Sequence, residues 1–195
     1  MPVRQSTNYF SLIAFICPQP LPDWASATFQ PPIQLNPSNS QPPELPDLLG
    51  HPDIVKLVDA FYVKVRADTA LGHVFDEVAK VNWETHLPKL YAFWDTVLFR
   101  AGTFRGNPLA AHVKLIEQTD MGWPLFERWL ELFRATVDEN FAGENAGHIV
   151  RCAEDMARVI HSKIHAIADP RLDPERLTPE QQARYASYRE APATV

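Results

Sequence analysis

Cysteine is nearly absent: the 195-residue chain has two, Cys17 and Cys152, and they form no C-x-x-C pair. That excludes a disulfide framework and a zinc ribbon, and the absence of C-x-x-C-H excludes c-type haem attachment by its usual signature. Long apolar runs are missing too. The longest, Leu12 to Cys17, is six residues, against the ~20 that a membrane-spanning helix needs. Positive charge is not in excess, with a net charge of −6 and, beyond residue 50, 17 Lys and Arg interspersed with 21 Asp and Glu. A sequence-independent grip on nucleic acid needs clustered cations to displace counterions from phosphates, so nucleic acid is not an expected partner. No H-E-x-x-H, P-loop or G-x-G-x-x-G occurs, which removes the commonest local signatures of metalloprotease, nucleotide and dinucleotide chemistry. The expectation is a cytoplasmic protein with no membrane span.

Proline is unevenly spread. Ten of the 18 fall in residues 1–50, a stretch with four charged residues and no helical period. Residues 1–50 therefore read as a Pro-rich, disordered extension, residues 51–168 as one domain, and residues 169–195 as a polar tail. Within that tail Thr178-Pro179-Glu180-Gln181 has the form of a capping box with proline at the first helical position, so a short helix is expected there.

From Asp53 the hydrophobic period is 3.6, and the strand period of 2 is nowhere sustained. Ile54, Leu57, Val58, Phe61 and Val65 put one apolar face on a helix from Asp53 to about Ala67. A turn is expected around Asp68 to Gly72, followed by a short segment to Val81. Asn82 can cap a second helix with Trp83, Leu87, Leu90, Trp94, Val97 and Leu98 inward. Residues 101–108 read as a loop, and Pro108 opens a short helix that holds His112. After a connection over 116–124, Leu125, Trp129, Leu132, Phe133 and Thr136 mark a third long helix. Ile149, Cys152, Met156, Ile160 and Ile164 mark a fourth, from Asn145 to about Ala168. The fold class is all-α.

Polar rings on these apolar faces are the candidates for chemistry. His86 lies about 60° around its helix from Trp83, at the edge of the buried arc, and Tyr62 borders the stripe of the first helix. Trp129 is near the centre of its own arc, and His112 follows Leu109-Ala110-Ala111. Each taken alone reads as a core residue. His161 and His165 have the i, i+4 spacing of a metal chelate, but at about 120° and 160° from Ile149 they are expected in solvent.

Several short motifs together carry more. Phe61-Tyr62, Val65-Arg66-Ala67-Asp68, Leu71-Gly72 with Phe75, Trp83-Glu84-Thr85-His86-Leu87, Phe93-Trp94, Gly106-Asn107-Pro108 with His112, and Phe126-Glu127-Arg128-Trp129-Leu130-Glu131-Leu132-Phe133 resemble the group III truncated haemoglobins, in order, over about residues 53–167. The resemblance implies a two-over-two helical globin fold and non-covalent haem b. It implies His112 as the proximal iron ligand, with Tyr62, His86 and Trp129 on the distal side. It places Phe75 against the porphyrin, Leu90 and Phe93 at apolar pocket positions, and Lys89 near a haem propionate. The chain departs from the pattern at His73, where the family commonly has proline, and at Leu125, where many members have histidine. The connection from His112 to Phe126 is also a few residues longer.

Haem is a flat apolar disc with two carboxylates, so an apolar slot with an imidazole on one face and a cation at the rim suits it. The function implied by the resemblance is binding, and hence transport, of dioxygen or another diatomic ligand. The alternatives are a peroxidase or nitric oxide dioxygenase using the same pocket with a reductase partner, and a helical interaction module without haem.

Overall fold

The structure is a computed structural model that describes residues 45–168 together with 178–180, 182, 183 and 186. Helix α1, His51–Ala67, carries Pro52 in its first turn, where the missing N–H costs nothing. The Asp53 carboxylate reaches back to the N–H groups of Leu49 (2.9 Å) and Gly50 (3.2 Å). Ile54, Leu57, Val58, Phe61 and Val65 are buried, as the period predicts.

Residues 68–78 depart from the expected turn and segment. Helix α2, Thr69–Gly72, and a π-helix, His73–Val78, occupy them. The reason is local: Asp68 Oδ1 accepts from Ala70 N and Leu71 N, each at 3.1 Å, and so nucleates a new helix where the first one stops. Gly72 is required by close approach, since a Cβ there would lie 2.7 Å from the Arg66 carbonyl oxygen.

Asn82 caps α3, Trp83–Phe99, by accepting from Thr85 N at 3.3 Å, and Arg100 ends it in the left-handed region (φ 56°). Asn107 caps α4, Pro108–Leu115, by accepting from Ala110 N at 3.0 Å. Two long helices follow, α5, Trp123–Asn140, and α6, Glu144–Ala168. Helix α1 packs on α3 and on α5, α5 packs on α6, and α6 also meets α3 and α4. The result is two helix pairs, with α4 packed on α6. Among the described residues there is no strand, and no helix is long and apolar enough to cross a membrane.

The boundary of the expected extension is corrected at its C-terminal end. Leu48 is fully buried, and Pro46 O accepts from Ala142 N at 3.0 Å. Asp47 caps α6: its carboxylate accepts from Asn145 N (3.1 Å) and Ala146 N (2.8 Å). Gly143 makes room for this, with φ 138° and a position where a Cβ would fall 2.4 Å from the Asp47 carboxyl carbon. Residues 45–50 thus belong to the domain, because one carboxylate satisfies two donors that a helix start cannot satisfy itself. The rest of the expected extension, residues 1–44, lies outside the described residues, as does most of 169–195. Gln182 N does donate to Thr178 O at 2.8 Å, and Pro179, Glu180, Gln182, Ala183 and Ala186 are helical.

Candidate functional site

Between the helix pairs lies a cavity of about 210 Å³, measured as space open to the centre of a water-sized sphere. One water needs only ~10–15 Å³ on that measure, and packed interiors rarely leave voids much larger. Tyr62, Phe75, His86 and Trp129 line it, and so do Lys89, Leu90, Phe93 and His112. All eight sequence candidates therefore meet at one cavity, supplied by α1, the π-helix, α3, α4 and α5.

His112 lines the cavity with one ring nitrogen already engaged. Its Nδ1 lies 2.8 Å from the Pro108 carbonyl oxygen. A carbonyl only accepts, so the proton sits on Nδ1 and Nε2 keeps its lone pair. Burial holds the His112 pKa below the usual histidine range, against a smaller opposing pull from the Pro108 carbonyl. The ring is neutral at neutral pH, the form that coordinates a metal. Phe126 stacks against it with centroids 6.0 Å apart and planes 28° apart, which restrains its tilt.

Tyr62 and Trp129 lie together on another wall. Tyr62 is 5% exposed, and burial drives its hydroxyl pKa far above the usual value, opposed only in part by the polar influence of the neighbouring Trp129. Indole N–H can only donate, so beside Trp129 the phenol oxygen is the acceptor on offer and the Tyr62 hydroxyl proton can be given elsewhere. Both rings are locked: Phe61 meets Tyr62 edge-on at 4.8 Å and Trp129 at 5.0 Å, and Trp129 stacks on Phe133 at 5.2 Å. Arg128 donates to Asp68 at 2.7 Å, tying the turn beside Trp129 to the start of α2.

His86 completes this side. Its Nδ1 is buried with no hydrogen-bond partner, and its pKa is pushed down to about 4, first by burial and then by the nearby Lys89 cation. A neutral imidazole with an unsatisfied buried nitrogen is costly in a closed core and suits a wall that meets a polar guest. Trp83 stands behind Tyr62 and His86, with centroids 5.5 and 5.7 Å away, and is anchored by its N–H to Asp76 at 2.7 Å.

Haem fits this donor set. The walls are largely aliphatic and aromatic, one neutral imidazole presents a lone pair, Lys89 lines the same space, and hydrogen-bonding groups occur elsewhere on the wall. Sequence reasoning did not single out Phe104, Met121, Met156 or Ile160, which also line the cavity. Met156 and Ile160 sit on the apolar arc of α6, where a cavity wall and a packed core have the same signature. Phe104 comes from a loop, held by Thr96 Oγ1 accepting from its N–H at 3.2 Å, and no periodic signal marks it.

The expectation of solvent-facing His161 is corrected. It is half-buried, edge-on to Trp123 (5.3 Å) and Phe126 (5.4 Å), because the first turn of α5 covers that flank of α6. His165 is exposed, as expected, but its Nε2 lies 3.3 Å from Met121 O.

No protein-family model matches the chain. Among curated proteins it is 30% identical over 114 residues to "Group 3 truncated hemoglobin ctb" of Campylobacter jejuni, a match covering 57% of this chain and 87% of that protein. Among solved structures it resembles the crystal structure of a group III truncated hemoglobin from Campylobacter jejuni, with a TM-score of 0.54 and 28% identity. That match covers 60% of this chain and 92% of the other.

Proposed function

The chain belongs to the group 3 truncated haemoglobin family, and from that premise we propose that it holds haem b non-covalently in the cavity and takes up dioxygen or another diatomic ligand there. The observation that carries this reading is His112: a half-buried, neutral imidazole on the cavity wall whose Nδ1–H is committed to Pro108 O and whose Nε2 lone pair is left for a metal.

His112 would bind the iron, Phe75, Leu90 and Phe93 would pack on the ring, and Lys89 would meet a propionate. When bound, haem supplies an iron that coordinates diatomic ligands reversibly. The chain's own part is to keep water out with apolar walls and to offer directed hydrogen bonds. The Tyr62 hydroxyl stays protonated at neutral pH, because burial raises its pKa, and so can donate to a guest. His86, neutral at pH 7, can donate or accept according to tautomer.

The test is titration of the purified chain with hemin, followed by absorption and by dioxygen or carbon monoxide addition after reduction. One hemin per chain with a histidine-ligated spectrum and ligand-dependent band shifts is expected. Sub-stoichiometric, non-saturating uptake would overturn the reading. An enzymatic role, as peroxidase or nitric oxide dioxygenase, would need a reductase partner to return the iron to the ferrous state, and turnover with such a reductase separates it from reversible carriage.

A further inference from the structure

We propose that His161 and His165 form a two-nitrogen chelate for a divalent transition-metal ion, Cu(II) foremost, on the flank of α6 outside the haem cavity. The pair is one helical turn apart, and its ring centroids are 4.3 Å apart with planes at 54°. Imidazole nitrogens about 2.0–2.1 Å from a metal and at roughly a right angle to each other stand about 3 Å apart, a span that rings at this separation can present.

The tautomer of His165 is already set. Its Nε2 faces the Met121 carbonyl oxygen at 3.3 Å, which can only accept. The proton is therefore on Nε2, and Nδ1 carries the lone pair. Donation of the second ring nitrogen to a backbone carbonyl is the usual support of a metal-binding histidine. His161 is held in its turn by edge contacts to Trp123 and Phe126, so little side-chain freedom is lost on ligation. Burial and the neighbouring His165 both depress the His161 pKa, which keeps its ring unprotonated at neutral pH.

Among the described residues no set of three His, Cys, Asp or Glu side chains is placed to hold a metal, so water fills the remaining positions. Two imidazoles near a right angle with open positions suit a tetragonal ion, and Cu(II) heads the affinity order for such ligands. The site makes no use of haem, and its test is independent of the haem reading.

The experiment titrates Cu(II), with glycine as competitor, into the full chain at pH 7. It reads stoichiometry by calorimetry, nitrogen couplings by electron paramagnetic resonance, and quenching of tryptophan fluorescence, Trp123 being beside the site. One tight Cu(II) per chain is expected. His165→Gln and His161→Gln should each weaken it at least about tenfold with unchanged circular dichroism. His73→Gln, which removes a separate histidine paired with Glu77 at 3.0 Å, should leave it intact. Because His165 is exposed, its variant keeps the test valid if His161→Gln unfolds the chain. Binding within twofold of the parent in His165→Gln, loss of the tight ion in His73→Gln, or no stoichiometric ion in the parent would each overturn the proposal.

Discussion

Phe61 holds Tyr62 edge-on at the cavity wall, with ring centroids 4.8 Å apart, and burial keeps the Tyr62 hydroxyl protonated and able to donate to a guest. The Tyr62 proton is the group to give, while Trp129, which pulls the same pKa down, acts through the polarity it confers on Tyr62. In the haem-loaded protein Tyr62→Phe should therefore speed dioxygen release the more. One charge-assisted bond of roughly 1.5–3 kcal/mol corresponds to about ten- to a hundredfold. Trp129→Phe should have a smaller effect in the same direction, and the double variant should fall short of the product of the two. Stopped-flow dissociation rates decide this; values within about twofold of the parent for both single variants would remove the hydrogen-bonded pocket. Very slow release in the parent would favour redox chemistry on the ligand over carriage.

Replacing His112 isolates the proposed iron ligand. His112→Gly should keep the helices, seen by circular dichroism, but lose hemin on passage over a desalting column, and added imidazole should restore retention and the parent spectrum. Retention and spectrum unchanged in His112→Gly would transfer the ligand role to His86, the other imidazole on the cavity wall.

Asp47 is a cap supplied from outside the helix it serves. Asp47→Ala strips two backbone N–H groups at the start of α6 of their acceptor and should cost about 0.5–2 kcal/mol, a fall in Tm of roughly 2–8 °C. A chain beginning at His51 should lose more than one beginning at Leu45, because it also gives up the buried Leu48 side chain. Equal melting temperatures for those two chains would show that residues 45–50 contribute nothing.

Acid should unfold the chain in two stages. His86 titrates near 6.5 when unfolded but at about 4 in the fold. Between those values the unfolded chain takes up a proton that the native chain refuses, so stability falls as pH drops through this window. His86→Gln should flatten part of that slope, with His112, His148 and His161, which shift the same way, contributing to what is left. Burial alone would raise the Asp68 pKa, but hydrogen bonds from Leu71 N, Arg128 and Ala70 N outweigh it and leave the value lowered. Its contribution is present above about pH 4 and lost below, as pH falls through the folded value, so Asp68→Asn should remove part of that later loss. Urea melts at pH 7, 5 and 3.5 measure both; a His86→Gln curve parallel to the parent from pH 7 to 5 would contradict the first assignment.

Some of this was legible from residues alone. The cap at Asn82, the proline at the start of α4 and the 3.6 period of four long helices are signals that act within a turn or two of chain, and the structure keeps them; the Asn107 cap of α4 was not read from the sequence. The break after Ala67 was legible as a break but not as two further helical segments, because the outcome turned on Asp68 accepting two backbone donors. The candidates around the cavity came from apolar-arc positions together with the spacing of motifs shared with the truncated haemoglobins, and each position alone was indistinguishable from core.

Sequence by itself determined the all-helical class, the helix starts and the set of polar rings on apolar faces, since propensity, capping and amphipathic period depend on neighbours a few residues away. Tertiary structure alone decided that Asp47 caps a helix 98 residues on, that Tyr62 and Trp129 line the same cavity, and that His161 meets Trp123 edge-on. It also decided that Met156 and Ile160 bound a cavity rather than fill a core. A hydrogen-bond counterpart or a covering ring is set by which distant segment arrives alongside. That choice is made by the packing of whole helices, and no local pattern encodes it.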